Sequence, residues 1–277
     1  MIYFSMGFWV VGLALITSFA GVACGLACIR QSTKSVTAKF RLVWVLVASS
    51  SIGGVGMSMP VFMLMLGVEL QNAEALRYEP ALTNLSSVVS GVAVFVALLI
   101  AGSKLNWVRL GIGAVVMAGG LGTSHLMLLS AIHVPGSVDR SLVSIIAVYV
   151  IALVLSVLTI WFSLTVKSVP LLLGGSVVYA VLVIAMHYAG LTGVEVHVTA
   201  GAAPPEGQQL FDFFVPFFII GALSLTVPIT AILVAPDRRE ARRPFLAPDS
   251  DSAHSTSLAA ASRGAASQRG RTPESVR

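Results

Sequence analysis

The stretch VPLLLGGSVVYAVLVIAMHYAGL, residues 169–191, contains no Asp, Glu, Lys or Arg and is apolar over most of its length. A helix of about 20 apolar residues is long enough to cross the hydrocarbon core of a bilayer. The stretch therefore predicts a transmembrane helix. It also places a histidine, His187, within the membrane, where a polar side chain needs a partner or a function.

Composition places the whole chain in the same class. Of its 277 residues, 56% are hydrophobic and 10% are charged, whereas a soluble domain carries about 25% charged residues. We therefore predict a multi-pass integral protein of the cell membrane, embedded in the lipid bilayer. The net charge of +5 does not predict nucleic-acid binding, because the basic residues cluster in short segments between or after the apolar runs.

Seven apolar runs are long enough, or nearly so, to span the bilayer. They are Phe8–Ile29, Leu42–Leu66, Leu85–Ala101, Val108–Ala131, Leu142–Val166, Pro170–Leu191 and Phe213–Val234. Transmembrane strands would instead alternate in polarity over segments of about ten residues. The runs predict an all-α integral membrane domain of seven transmembrane helices over residues 1–235.

The charges of the loops predict the orientation. The loops after the first, third and fifth runs, and the segment after the seventh, hold Arg30, Lys34, Lys39, Arg41, Lys104, Arg109, Lys167, Arg238, Arg239, Arg242 and Arg243. The alternate loops hold only Arg77 and Arg140 as basic residues, among several acidic ones. Because Lys and Arg are retained in cytoplasmic loops, we expect the N-terminus outside and the C-terminus in the cytoplasm.

Residues 236–277 differ in composition from the rest of the chain. They are rich in Ser, Ala, Arg and Pro and contain few large apolar residues. Such a segment cannot bury enough surface to offset the entropy of ordering it. It is predicted to be a disordered cytoplasmic tail, too short and too polar to be a catalytic domain, and we expect no enzyme activity.

Three helices share a pattern that predicts an internal repeat. Pro60, His125 and His187 follow one another at nearly equal spacing, about one helical hairpin apart, each four to six residues before the predicted outer end of its helix. At 1.5 Å per residue, all three lie roughly 6–9 Å below that end. The pattern predicts three helical-hairpin pseudo-repeats followed by a seventh helix outside the repeat.

At these positions the chain resembles the MHYT family, bacterial seven-helix membrane domains named for a Met-His-Tyr-Thr motif in alternate helices. The sixth helix carries Met186-His187-Tyr188-Ala189-Gly190, with Ala189 where the motif has Thr. In the fourth helix His125 matches the motif, and in the second Met59 matches it while Pro60 stands in place of the histidine. The resemblance covers residues 8 to 234.

The resemblance implies a membrane sensor or signalling protein. MHYT domains are proposed to hold a metal, copper above all, through the motif His and Met residues and to sense a diatomic gas such as oxygen, carbon monoxide or nitric oxide. Many relatives continue into a cytoplasmic signalling enzyme, whereas this chain continues only into the tail. The resemblance therefore implies a separate signalling protein as the partner that produces the output.

The residue types point to the same chemistry. His125 and His187 are the only histidines inside the predicted spans. Imidazole nitrogen suits copper, and the thioether sulfur of methionine favours Cu(I). Met59 and Met63 are four residues apart and so share one helical face, while Met186 adjoins His187 at about 100° around its helix. These five residues are the predicted metal ligands near the outer face.

Two other functions stay open at this stage. Pro60 stands where the motif has a histidine, which favours a membrane scaffold that has lost its metal site. A small transporter is the second alternative, because the Gly-rich segment Gly119–Gly122 would permit close helix packing or a break. However, no charged residue lies well inside any predicted span, which leaves a transporter without an obvious ion or proton site.

Overall fold

The structure, a computed structural model, describes residues 4–35, 37–69, 76–199 and 205–234. Within these ranges it contains seven helices that are long and apolar enough to cross a membrane, which confirms the prediction of a multi-pass membrane protein. They are α1 (Trp9–Lys34), α2 (Ala38–Leu66), α3 (Pro80–Ala101), α4 (Trp107–Ser130), α5 (Leu142–Thr165), α6 (Val169–Leu191) and α7 (Leu210–Val234). The predicted tail, residues 236–277, lies outside the described residues.

Local sequence explains where several helices begin. The side chain of Thr37 accepts a hydrogen bond from the Phe40 backbone N–H before α2, and the side chain of Asn106 accepts two from the first turn of α4. Such caps satisfy N–H groups that have no partner within the helix. Proline stands in the first turn of α3 and of α6, where its missing N–H costs nothing.

The first six helices pack as a ring in chain order. Each of them contacts the next, and α1 closes the ring by packing against α6. The seventh helix lies against α2, where the rings of Phe62 and Phe217 meet edge to face at 5.1 Å. The side chain of Met59 contacts Gly221 of α7 at the same interface. The sequence predicted a seventh helix outside the repeat, and the structure packs that helix, α7, against α2.

Among the described residues, four short strands that were not predicted cover one end of the helices. β1 (Arg77–Tyr78) pairs with β2 (Ile132–His133), and β3 (Gly136–Arg140) pairs with β4 (Val194–Val198), both antiparallel. They join the loops before α3 and α5 to those after α4 and α6. We call this end the sheet end. The opposite end, formed by the end of α1, the start of α2 and the ends of α3 and α5, is called the basic end after its loops.

The middle of α2 departs from α-helical geometry just before Pro60. Residues Ser50–Ser58 form a π-helix. Pro60 has no N–H and so cannot bond the carbonyl of Gly56, four residues earlier, and that carbonyl instead accepts a 2.7 Å hydrogen bond from Ser18 of α1. The two helices can approach this closely because Gly21 has no side chain. A Cβ atom at this position would lie only 2.5 Å from the Gly56 nitrogen. Ser18 and Gly21 together allow α1 to pack closely against the irregular part of α2.

Candidate metal centre

His125 of α4 and His187 of α6 lie side by side in the interior. Their ring centroids are 5.4 Å apart and their planes are inclined by 74°. The side chains are 1% and 0% exposed. The structure therefore brings together the two histidines that the sequence singled out, from helices that do not follow each other in the chain.

None of the four ring nitrogens of this pair has a hydrogen-bond partner of acceptable geometry within the described residues. Buried polar side-chain atoms are nearly always hydrogen-bonded to protein or to ordered water, and burial without a partner costs free energy. The pair thus presents four buried nitrogen atoms without a well-formed hydrogen bond to the surrounding described residues. Such a site is suited to a metal ion or to a small polar ligand.

Gly190 makes room for the His125 ring. A Cβ atom on Gly190 would lie 2.7 Å from His125 Nε2 and 3.1 Å from Cδ2. Gly190 is three residues after His187, so the two share one face of α6. Sequence reasoning quoted this glycine with the motif but assigned it no role, although a small residue one turn from a buried histidine was the available signal.

A small cavity of about 10 Å³ adjoins His125. Its walls are Met57, Ser58, Val61, Phe62, Ser86, Ser124, His125 and Leu128. This volume admits roughly one water-sized molecule. The hydroxyl of Ser124 donates to the Ser86 carbonyl, and that of Ser58 donates to the Gly53 carbonyl, both at 3.1 Å or less. Both hydroxyl hydrogens are therefore already used by the backbone.

The predicted methionine ligands lie in two places. Met59 and Met63 belong to a smaller cluster with Val10 and Ala14 of α1. The sulfur of Met63 accepts a 3.5 Å hydrogen bond from the Thr17 hydroxyl, and Met59 packs on α7. This cluster touches the Tyr188 ring.

Tyr188 connects that cluster to the histidine pair, since its ring centroid is 5.3 Å from that of His187. Met186, which is fully buried, belongs instead to the large core cluster. A methionine that sequence reasoning passed over, Met57, lines the cavity beside His125. Met57 precedes Met59 by two residues, about half a helical turn, and so lies on the other side of α2.

The residues around the pair fit a metal ion with few ligands better than one that needs many. In the part of the chain that the structure describes, no group of three or more His, Cys, Asp or Glu residues could hold a metal ion. Metal–imidazole bonds are about 2 Å long, so two rings on one ion have centroids within roughly 6 Å. The 5.4 Å separation of the two rings agrees with that limit. Any further protein ligand at this site has to be a methionine sulfur or an oxygen.

The remaining histidines that the structure describes lie at the sheet end and have partners. His133 Nδ1 is 3.1 Å from the Glu206 carbonyl oxygen, and His197 Nε2 is 3.7 Å from an oxygen of Asp139. These partners account for both side chains without a ligand. They provide controls for experiments on the buried pair.

No known protein family, no curated protein and no solved structure matches this chain at a significant level.

Proposed function

We propose that the chain is a membrane sensor of the MHYT type that holds one copper ion between His125 and His187. The observation that carries the proposal is the pair of adjacent, buried imidazoles whose four nitrogens lack hydrogen-bond partners of acceptable geometry in the described structure. Polar residues at membrane depth generally mark a function. The motif residues Met186 to Gly190 supply the resemblance that narrows this function to sensing.

Copper is favoured by the donor atoms that surround the pair. Imidazole nitrogen binds Cu(I) and Cu(II), and thioether sulfur selects Cu(I). Met57 lines the same cavity as His125. Met59 and Met63 belong to a cluster that contacts Tyr188, whose ring lies beside that of His187. Bound copper would supply an open coordination position for a small ligand. The cavity beside His125 admits roughly one water-sized molecule next to the pair.

The charge distribution supports a cytoplasmic basic end. Its loops and the adjoining helix ends carry seven basic residues, whereas the charged residues in the strands and loops of the sheet end are mostly acidic. Lys and Arg in short loops remain on the cytoplasmic side. The sheet end, with the histidine pair below it, then faces the outside, and the output passes to a separate cytoplasmic signalling protein.

Anaerobic titration of the purified protein with Cu(I) tests the metal site. We expect about one ion per chain, as one low-coordinate site requires, and reduced uptake in His125→Ala and in His187→Ala. His197→Ala, at the exposed ion pair with Asp139, and His254→Ala, in the predicted tail, are the matched controls. Equal uptake by the wild type and all four variants would make the pair a packing feature and favour the scaffold.

A methionine series tests which sulfur completes the site. Met57→Leu, Met59→Leu and Met63→Leu each remove a sulfur and keep a similar volume, a change that cores tolerate well. Because Met57 lines the cavity beside His125, we expect Met57→Leu to lower the copper affinity more than the other two substitutions. Affinity equal to that of the wild type in all three variants would show that none of these three sulfurs binds the ion.

A further inference from the structure

The basic end contains a partly open cavity beside an apolar surface of the bundle. A cavity of about 360 Å³ lies between the end of α1, the loop into α2 and the ends of α3 and α5. Its apolar side includes Ile29, Leu42 and Leu99, and its polar side includes Thr37 and Arg41. Ligand sites in proteins begin at about 300 Å³. The space is therefore large enough for a lipid headgroup and the first part of an acyl chain.

The electrostatic surroundings of this cavity are of one sign. The three loops at the basic end and the helix ends beside them carry Arg30, Lys34, Lys39, Arg41, Lys104, Arg109 and Lys167. The same loops contain no Asp or Glu in the sequence. Basic residues near a membrane surface attract anionic lipids by about 1 kcal/mol each. An occupant of the cavity is thus expected to carry negative charge.

One cation in the cavity wall is available for such a ligand. The guanidinium of Arg41 makes no hydrogen bond or ion pair with the residues that the structure describes. Arg109, by contrast, donates to the carbonyl of Ile100 at 2.6 Å and so caps the end of α3. Thr37 adds a hydroxyl whose oxygen accepts from the Phe40 N–H, leaving its own hydrogen free to donate. A phosphate oxygen could accept from Arg41 and Thr37 together.

The apolar side of the cavity reaches the surface that faces lipid. Leu42 is 49% exposed and Leu99 is 44% exposed, although both line the cavity. In a membrane, such exposed leucines contact acyl chains. A soluble anion would leave this side of the cavity without an apolar partner, whereas a lipid would fill both sides. The amphipathic lining therefore selects a phospholipid over free phosphate.

We propose that this cavity binds an anionic phospholipid, with its phosphate held by Arg41 and Thr37 and an acyl chain lying along Leu42 and Leu99. The proposal is independent of the copper site, which lies near the sheet end, and so extends the proposed function. Lipid bound here would hold the loop between α1 and α2 against the ends of α3 and α5. The site is thus placed to make the stability of this end depend on the charge of the membrane lipids.

Native mass spectrometry of the full chain, titrated with phosphatidylglycerol or with phosphatidylcholine of the same acyl chains, tests the proposal. We expect the anionic lipid to bind roughly fivefold more tightly, the factor that corresponds to one cation near a membrane surface. Arg41→Gln should abolish this preference. Lys39→Gln removes the same charge from the same helix outside the cavity wall and should keep it. Equal affinity for both lipids, or equal loss in both variants, would overturn the proposal.

Filling the cavity provides a second, charge-neutral test. Ser163 lies on the cavity wall at the end of α5, so Ser163→Phe should block the lipid while Ser163→Ala should not. Millimolar inorganic phosphate should leave lipid binding unchanged. Unaltered binding in Ser163→Phe would show that the lipid sits elsewhere, and displacement by inorganic phosphate would show a site for a free anion. Size-exclusion profiles and thermal unfolding like those of the wild type would show that the variants remain folded.

Discussion

Ser18 of α1 donates a 2.7 Å hydrogen bond to the carbonyl oxygen of Gly56 in α2, the group that Pro60 leaves without an α-helical partner. The serine is fully buried. A carbonyl without a partner in lipid costs more than in water, because no water replaces the missing donor. The hydrogen bond that Pro60 cannot make is therefore replaced by one from a hydroxyl on a neighbouring helix.

This relationship predicts a coupled pair of substitutions. Ser18→Ala should lower the free energy of unfolding by about 1 kcal/mol, since hydrogen bonds within membrane proteins contribute about 0.6 kcal/mol on average and at most about 1.7. In a Pro60→Ala background the restored N–H can bond the Gly56 carbonyl, so Ser18→Ala should cost less. Unfolding by denaturant in detergent measures both. Equal costs in the two backgrounds would contradict the compensation.

A second prediction concerns the space that Gly190 leaves for the His125 ring. Gly190→Ala would bring a methyl group within 2.7 Å of His125 Nε2, so the ring has to shift. We expect a loss of about 1–3 kcal/mol in stability, as overpacking usually produces, and weaker copper uptake. Gly174→Ala on the same helix meets nothing within 4 Å and should preserve both properties. Thermal unfolding and Cu(I) titration compare the two alanines, and identical behaviour would show that the ring has room.

A third prediction concerns pH and Tyr78 at the sheet end. This side chain is 1% exposed and its hydroxyl has no hydrogen-bond partner in the described structure. Burial raises the pKa of Tyr78 above its ordinary value, because the charged phenolate would lose its hydration. Its contribution to stability is then complete below the unfolded pKa of about 10 and is lost as the pH rises above it.

Tyr78→Phe removes this titration. The variant should lose less stability than the wild type between pH 9 and pH 11, and at pH 7 it should be as stable or more so, since a buried hydroxyl without a partner is removed. Denaturant unfolding at the three pH values measures the difference. Parallel losses in the two proteins above pH 10 would show that Tyr78 ionises in the folded state.

A fourth prediction concerns orientation. A reporter that is active only outside the cytoplasm should work when fused after Gln71 or Gly207 and fail after Lys34 or Arg239, because the basic loops remain in the cytoplasm. Gln71 and Arg239 lie outside the described residues, so the fusions also probe those segments. Activity after Arg239 would reverse the orientation and place the histidine pair near the cytoplasmic face.

The sequence alone determined the number and kind of the membrane helices. In lipid, the backbone N–H and C=O groups of a segment have to bond each other, because no water is available. A long apolar run such as residues 169–191 therefore forms a helix. The ends of helices are less constrained, because polar residues can extend a helix beyond the hydrocarbon. For this reason α1 continues to Lys34 rather than ending at Ile29, and α3 begins at Pro80 rather than at Leu85.

Tertiary structure decided how the site is built. The sequence predicted a similar depth for His125 and His187, but their contact depends on how α4 and α6 are rotated. Rotation within α2 likewise directs Met57, and not Met59, to the cavity beside His125. The short strands at the sheet end form between loops far apart in sequence, so no local pattern indicates them. A pattern of hydropathy can be read along the chain. Which side chains face and contact each other is decided only when the helices pack together.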